Sequence, residues 1–209
     1  HWIRQNAWQN GNLIGKYNVG PLSKHYSYIL SNVVIGAHVV QAFDIVHTGL
    51  KALKKYQDSW SGGFSNATPE LKPNNMLENW TSAQVGMAFL MFGDLGVAKQ
   101  VGEFLINMWD AQPDISNKLY FVYDANRKEL LLESDLPSNN YVLISDEPRQ
   151  WFWGPGLVSA FMGMLYLYTS EKRYLNYAQK YQDFVQSCTN KQFEGIEVCK
   201  TGWGSAVMF

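Results

Sequence analysis

The densest run of reactive side chains is Asp146-Glu147-Pro148-Arg149, followed at once by Trp151-Phe152-Trp153-Gly154-Pro155-Gly156. Carboxylates such as Asp146 and Glu147 serve as general acid, base or nucleophile at a glycosidic centre. The guanidinium of Arg149 suits bidentate capture of a substrate carboxylate, and Trp151 and Trp153 offer flat faces for stacking. A second stretch, Asn74-Asn75-Met76-Leu77-Glu78-Asn79-Trp80, again leads polar groups into a tryptophan. It adds Glu78 as a third candidate carboxylate and Trp80 as a third platform. Either stretch alone reads equally as a surface loop anchored by a tryptophan; the repetition favours the rim of a cavity.

A third stretch, YQDSWSGGFSN at 56–66, leaves a long helical pattern through two adjacent glycines. It reads as a helix C-cap, with Gly62 or Gly63 left-handed and Phe64 covering the core. It also reads as a rim segment in which Trp60 and Phe64 face a ligand; the two readings are compatible. Among the histidines, His25 lies beside Tyr26 in Lys24-His25-Tyr26-Ser27-Tyr28, a pairing that could supply base and acid in a lyase or epimerase, or simply satisfy a helix start. His38 and His47 fall nine residues apart in one helical pattern, on opposite faces of a straight helix, so they are not expected to share a metal. Cys188 and Cys199 have no histidine cluster near them, and no metal or cofactor site is expected.

Composition bounds the partners. The 209 residues are 46% hydrophobic and 15% aromatic, enough to bury a substantial core as a single domain spanning 1–209. Net charge is −1 and charged residues make up 17%, below the roughly 25% of an average chain. There is no basic footprint for nucleic acid, and a neutral or apolar small molecule or oligosaccharide is the expected partner. The most apolar stretch, Val33 to Val46, is interrupted by His38, Gln41 and Asp44, so no membrane span is expected. HWIRQNAW lacks the layout of a signal peptide and reads as the start of a processed or excised chain. KTGWGSAVMF reads as a helix broken off at Phe209, which leads us to expect a longer natural chain. The sequons at Asn66 and Asn79, with a local Cys188–Cys199 disulfide, would suit a secreted glycoprotein; two free thiols suit an intracellular one.

The elements that must carry these residues read as helical hairpins. Val39, Phe43, Val46, Leu50 and Leu53 recur at helical spacing within a single helix over 31–57. TSAQVGMAFLMFGD and LGVAKQVGEFLINMWDAQP form a pair, the second with a stripe of Val97, Val101, Phe104, Leu105 and Met108. GLVSAFMGMLYLY and RYLNYAQKYQDFVQSC form another across a TSEK turn, with Ser170 suited to start the second helix. Ala98–Phe104 can be laid on Ala178–Phe184 at an offset of 80 residues, so the hairpin is a repeat. Between the repeats, LYFVYD and ELLLE flank Ala125-Asn126-Arg127 as a β-hairpin, joined by YVLIS.

This pattern, with helices joined as in LYLYTSEKRYLNYAQKYQDFV and loops such as QDSWSGGF, resembles the α/α toroid superfold. Six-hairpin glycosidases, polysaccharide lyases, sugar 2-epimerases, terpenoid cyclases and protein prenyltransferases share it. The resemblance covers about residues 30–209 and implies an all-α fold: a toroid-like array of helical hairpins with a small β-hairpin insertion near 118–145. The array holds fewer hairpins than a complete toroid. DxDD and DDxxD are absent, as are the Cys-His-Gly ligands of lanthionine cyclases and the nucleotide, GxSxG and HExxH motifs.

Three functions follow as expectations. The first is a carbohydrate-directed hydrolase, lyase or epimerase using Asp146, Glu147, Glu78, His25 and Tyr26, with Trp60, Phe64, Trp80, Arg149, Trp151 and Trp153 binding substrate. The second is a cyclase or isomerase of an isoprenoid or other apolar metabolite. The third is a non-catalytic binding module, an incomplete ring that pairs with another chain or forms a homodimer.

Overall fold

Polar residues are distributed differently on alternate helices, and that alternation decides which helices lie inside. The computed structural model describes residues 2–9, 12–13, 25–66, 75–134, 138–194 and 198–208. Lys24, Asn74 and Phe209, which figure in the sequence readings, lie outside them. In chain order the elements are α1 (Trp2–Asn6), β1 (Trp8–Gln9), β2 (Asn12–Leu13), α2 (Tyr26–Val39), α3 (Phe43–Leu53), β3 (Met76–Glu78), α4 (Asn79–Met91) and α5 (Leu95–Asp110). There follow β4 (Lys118–Tyr120), β5 (Val122–Asp124), β6 (Glu129–Leu130), β7 (Val142–Ile144), α6 (Trp153–Thr169), α7 (Lys172–Ser187) and α8 (Val198–Met208). The described residues are mostly helical with small antiparallel sheets, and no helix among them is long and apolar enough to cross a membrane.

Every residue of α4 from Asn79 to Leu90 is buried, and α6 is buried from Gly154 to Gly163. Helices without a polar face belong in an interior. The outer helices are amphipathic: α5 buries Val97, Val101, Phe104, Leu105 and Met108, the stripe expected from the sequence, and α7 buries Tyr174, Tyr181 and Phe184. The helices pack in a row, α2 on α4, α4 on α6 and α6 on α8, with α2 and α8 partly exposed at its ends, while α3, α5 and α7 back α2, α4 and α6. One apolar core runs through these helices, from Leu13 to Cys188. Glycines set the closest approaches: a Cβ on Gly156 of α6 would stand 2.6 Å from the Thr201 Cα of α8.

The structure corrects several expectations. The single helix over 31–57 is two helices, because Gln41 adopts φ 58° and turns the chain between α2 and α3. Val39 and Phe43, expected on the buried stripe, are exposed beside that turn. The region is therefore a further hairpin, and His38 and His47 lie on different helices, where both meet the Phe92 ring edge-on at 6.3 and 4.9 Å. Ser170 does not start α7; it closes α6 in left-handed backbone at φ 58°. The expected β-hairpin forms as β5–β6, with Tyr123 opposite Leu130, but β3 joins its other edge and β7 pairs with β4 in a separate sheet.

Cys188 and Cys199 are not bridged. Cys188 is turned into the core, where its thiol donates to the Phe184 carbonyl at 3.3 Å and burial pushes its pKa up to about 12, whereas Cys199 is exposed on α8. The sequon residues Asn66 and Asn79 are both buried in the folded chain.

Candidate functional site

The N-terminal ends of α2, α4, α6 and α8 meet at one end of the helix row, because residues from their first turns touch one another. The Tyr28 ring of α2 lies 6.1 Å from Trp153 at the start of α6, and Trp153 lies 5.3 Å from Trp80 of α4. The Lys200 ammonium of α8 sits 3.7 Å over Trp153 and 5.3 Å from Tyr28. Trp151 completes a three-indole cluster at 4.9 Å from Trp80, and Phe121, just before β5, contacts Trp80 at 4.4 Å and stacks on Trp151 at 6.1 Å. Gly154 makes this packing possible, since the position of its missing Cβ is only 3.0 Å from the Trp80 ring.

Against this aromatic cluster lies a polar network that joins three separate segments. Asn66 is fully buried, and its amide Nδ2 donates to Glu78 Oε2 at 2.8 Å while lying 3.1 Å from His25 Nδ1. Its Oδ1 accepts from the Tyr28 N–H at 3.4 Å, which fixes the orientation of the amide. An amide nitrogen only donates, so His25 Nδ1 is the acceptor and the neutral ring carries its proton on Nε2. Thr81 Oγ1 donates a second bond to Glu78 Oε2 at 2.8 Å, holding the carboxylate in one orientation. Glu78, 8% exposed, also occupies the N-cap position of α4, where the helix dipole favours negative charge.

The backbone places these groups deliberately. Ser27 N–H donates to the Asn66 carbonyl at 3.3 Å and Ser27 Oγ to the Ser65 carbonyl at 2.6 Å, strapping that segment onto the start of α2. Ser65 in turn bridges to Leu77 in β3, and β3 pairs with β5 so that Glu78 faces Val122. Asn79, between Glu78 and Trp80, is 1% exposed, and its Oδ1 has no hydrogen-bond partner among the described residues. A buried acceptor left this way costs about 1–3 kcal/mol.

Of the residues expected from the sequence, the structure brings together Glu78, His25, Trp80, Trp151 and Trp153. Asp146, Glu147 and Arg149 stand on the exposed turn after β7, with Arg149 at φ 60°. Tyr26 does not pair with His25: it is buried on the other side, its hydroxyl accepts from the Leu13 N–H at 3.3 Å, and burial raises its pKa to about 12. Phe64 is not on a rim; it is fully buried and stacks on Phe89 at 5.9 Å.

Trp60 lies apart from the other tryptophans. The stretch that carries it is not part of the indole cluster; of the cap reading, the left-handed Gly62 and the Phe64 ring covering the core are borne out, but the helical turn after α3 is already capped at Gln57. The stretch is a tight turn between Gln57 and Phe64, which form a β-bridge, with Gly62 at φ 84°. Asn66, Tyr28, Phe121 and Lys200 are the participants that sequence reasoning missed. No family model, curated protein or solved structure matches this chain.

Proposed function

We propose that this protein is a carbohydrate-directed enzyme working by acid–base chemistry at the joined ends of α2, α4, α6 and α8. The observation that carries the reading is the contact between the His25–Asn66–Glu78 network and the Tyr28–Trp153–Trp80–Trp151 cluster, with Tyr28 belonging to both. A sugar stacks its C–H face on an indole and presents hydroxyls at its edge. Here the indoles lie beside a carboxylate and an imidazole. In this reading Glu78 and His25 exchange protons with the bound ring, Asn66 and Thr81 position them, and the half-buried Trp151 and Trp153 bind the sugar, backed by Trp80, which is only 3% exposed. The helix row is read as an arc of an α/α toroid, with α2, α4, α6 and α8 on its inner side and α3, α5 and α7 outside.

The deciding experiment is a screen of pure protein against neutral oligosaccharides and uronides, with products read by mass spectrometry and crystals soaked with every hit. Turnover is expected from the wild type, with Glu78→Gln reducing it by about a hundredfold or more. Wild-type turnover that survives in Glu78→Gln would remove Glu78 from the chemistry, and an absence of both turnover and density at the indole cluster would sink the enzyme reading. A non-catalytic binding module is the second reading. It is favoured by an apolar groove of about 870 Å³ beside α2, lined by Ile29, Val33, Val40 and Ile45.

A further inference from the structure

Trp60 takes no part in the indole cluster, and its own surroundings show what it offers instead. Its ring is 62% exposed at the tip of the 57–64 turn, yet that turn is rigidly held. Asp58 Oδ2 accepts from both the N–H and the hydroxyl of Ser61 at 2.7 and 2.6 Å, and Asp58 N–H donates to the Gly63 carbonyl at 2.9 Å. Gly62 presses against α5, where a Cβ would stand 2.7 Å from the Gln100 carbonyl oxygen. The β5–β6 hairpin faces the turn, and between them lies a pocket of about 450 Å³ whose lining includes Trp60, Phe104, Asn107, Tyr123, Glu129 and Leu132. Lys128, in left-handed backbone at φ 60°, places its ammonium 4.4 Å from the Trp60 ring and forms one wall.

We propose that this pocket is a second carbohydrate-binding site, separate from the Glu78 site, and that it takes a neutral oligosaccharide. The indole of Trp60, on a turn held by its own hydrogen bonds, provides a stacking plane once the mobile Lys128 side chain moves off it, and the Asn107 amide, the Glu129 carboxylate and Ser61 supply partners for hydroxyls around an apolar floor. Charge selects the neutral sugar. The lining carries one carboxylate, Glu129, and one ammonium, Lys128, so the pocket has no net charge to favour an acidic ligand. The nearby cations are already engaged: Arg127 lies 4.0 Å from Asp124 and 3.7 Å from Glu129, and Lys128 sits on the indole. Among the described residues no cation other than Lys128 lines the pocket to hold a uronate or sulfated sugar.

The test is a titration followed by the nitrogen–proton NMR signals of the eight indoles and the Asn107 side chain, with Trp60→Phe identifying the Trp60 signal. The probes are cellotetraose, maltotetraose and mannotetraose, with trigalacturonate as the acidic control. At least one neutral tetrasaccharide is expected to shift the Trp60 and Asn107 signals together, saturating with a Kd on the order of 1 mM. Trp60→Ala is expected to weaken that binding by about tenfold or more, while Glu78→Gln leaves it unchanged, which separates this site from the catalytic reading. The proposal is overturned if no neutral tetrasaccharide moves the Trp60 signal by about 20 mM, if trigalacturonate binds there as tightly, or if Trp60→Ala leaves the Asn107 shift intact.

Discussion

Asn66 joins His25 to Glu78, and its role is testable without a substrate. The neutral His25 ring should carry its proton on Nε2, because Asn66 donates to Nδ1. Long-range nitrogen–proton spectra should show that tautomer in the wild type and a rise of the Nδ1–H form in Asn66→Ala; an unchanged ring would mean that another group sets the tautomer. Phe64 and Trp60 make a contrasting pair in the same turn. Phe64→Ala opens a cavity in the core and is expected to cost about 3–5 kcal/mol. Trp60→Ala, at an exposed position, should stay within about 0.5 kcal/mol. Urea denaturation measures both, and equal costs would contradict the placement of Phe64. From the sequence alone the two aromatics look alike, because a stacking platform and a core ring differ only in what surrounds them.

Helix packing is limited by backbone approach rather than by side-chain volume at the α6–α8 contact. Gly156→Ala would drive a Cβ to within 2.6 Å of the Thr201 backbone, and also face the strain of moving α8, so a loss of about 1–3 kcal/mol is expected. Gly36 in α2 has nothing within 4 Å of a built Cβ, so Gly36→Ala should stabilise by about 0.5–1 kcal/mol. Chemical denaturation of the two variants side by side checks the contrast. The hairpins at 79–110 and 153–187 were legible because their outer helices repeat one apolar stripe and their inner helices have no polar face. The α2–α3 turn was not, because Val40-Gln41-Ala42 carries no glycine or proline to mark it, and Gln41 reaches φ 58° only under tertiary constraint.

Stability of the whole molecule should depend on alkaline pH through its buried tyrosines. Burial raises the Tyr26 and Tyr174 phenols to about 12, the latter also beside Glu103, and burial drives Tyr181 upward as well. Tyr177 also rises to about 12, chiefly through its bond to Asp110. A phenol with a raised folded pKa keeps its proton after the unfolded chain has begun to lose it near pH 10. The unfolded state then binds fewer protons, so these phenols add a fall in stability between about pH 10 and 12, on top of the fall that the buried Cys188 thiol begins above its ordinary value of about 8.5. Urea midpoints across that range measure the fall; a midpoint that does not move would show that these phenols ionise without opposing the fold.

By itself the sequence determined the alternation of apolar and amphipathic helices, the β5–β6 hairpin and the absence of a nucleic-acid footprint. Each of these rests on composition or on periodicity within a single element. It also named Glu78, His25, Trp80, Trp151 and Trp153, whose residue types announce their chemistry. Only the tertiary structure decided that these belong together, that Asp146, Glu147 and Arg149 face solvent, and that Asn66 connects His25 to Glu78. His25 and Asn66 are 41 residues apart and Asn66 and Glu78 are 12 apart. A hydrogen bond across such separations depends on how α2, β3 and α4 dock, and docking is a property of packed surfaces that no local pattern contains.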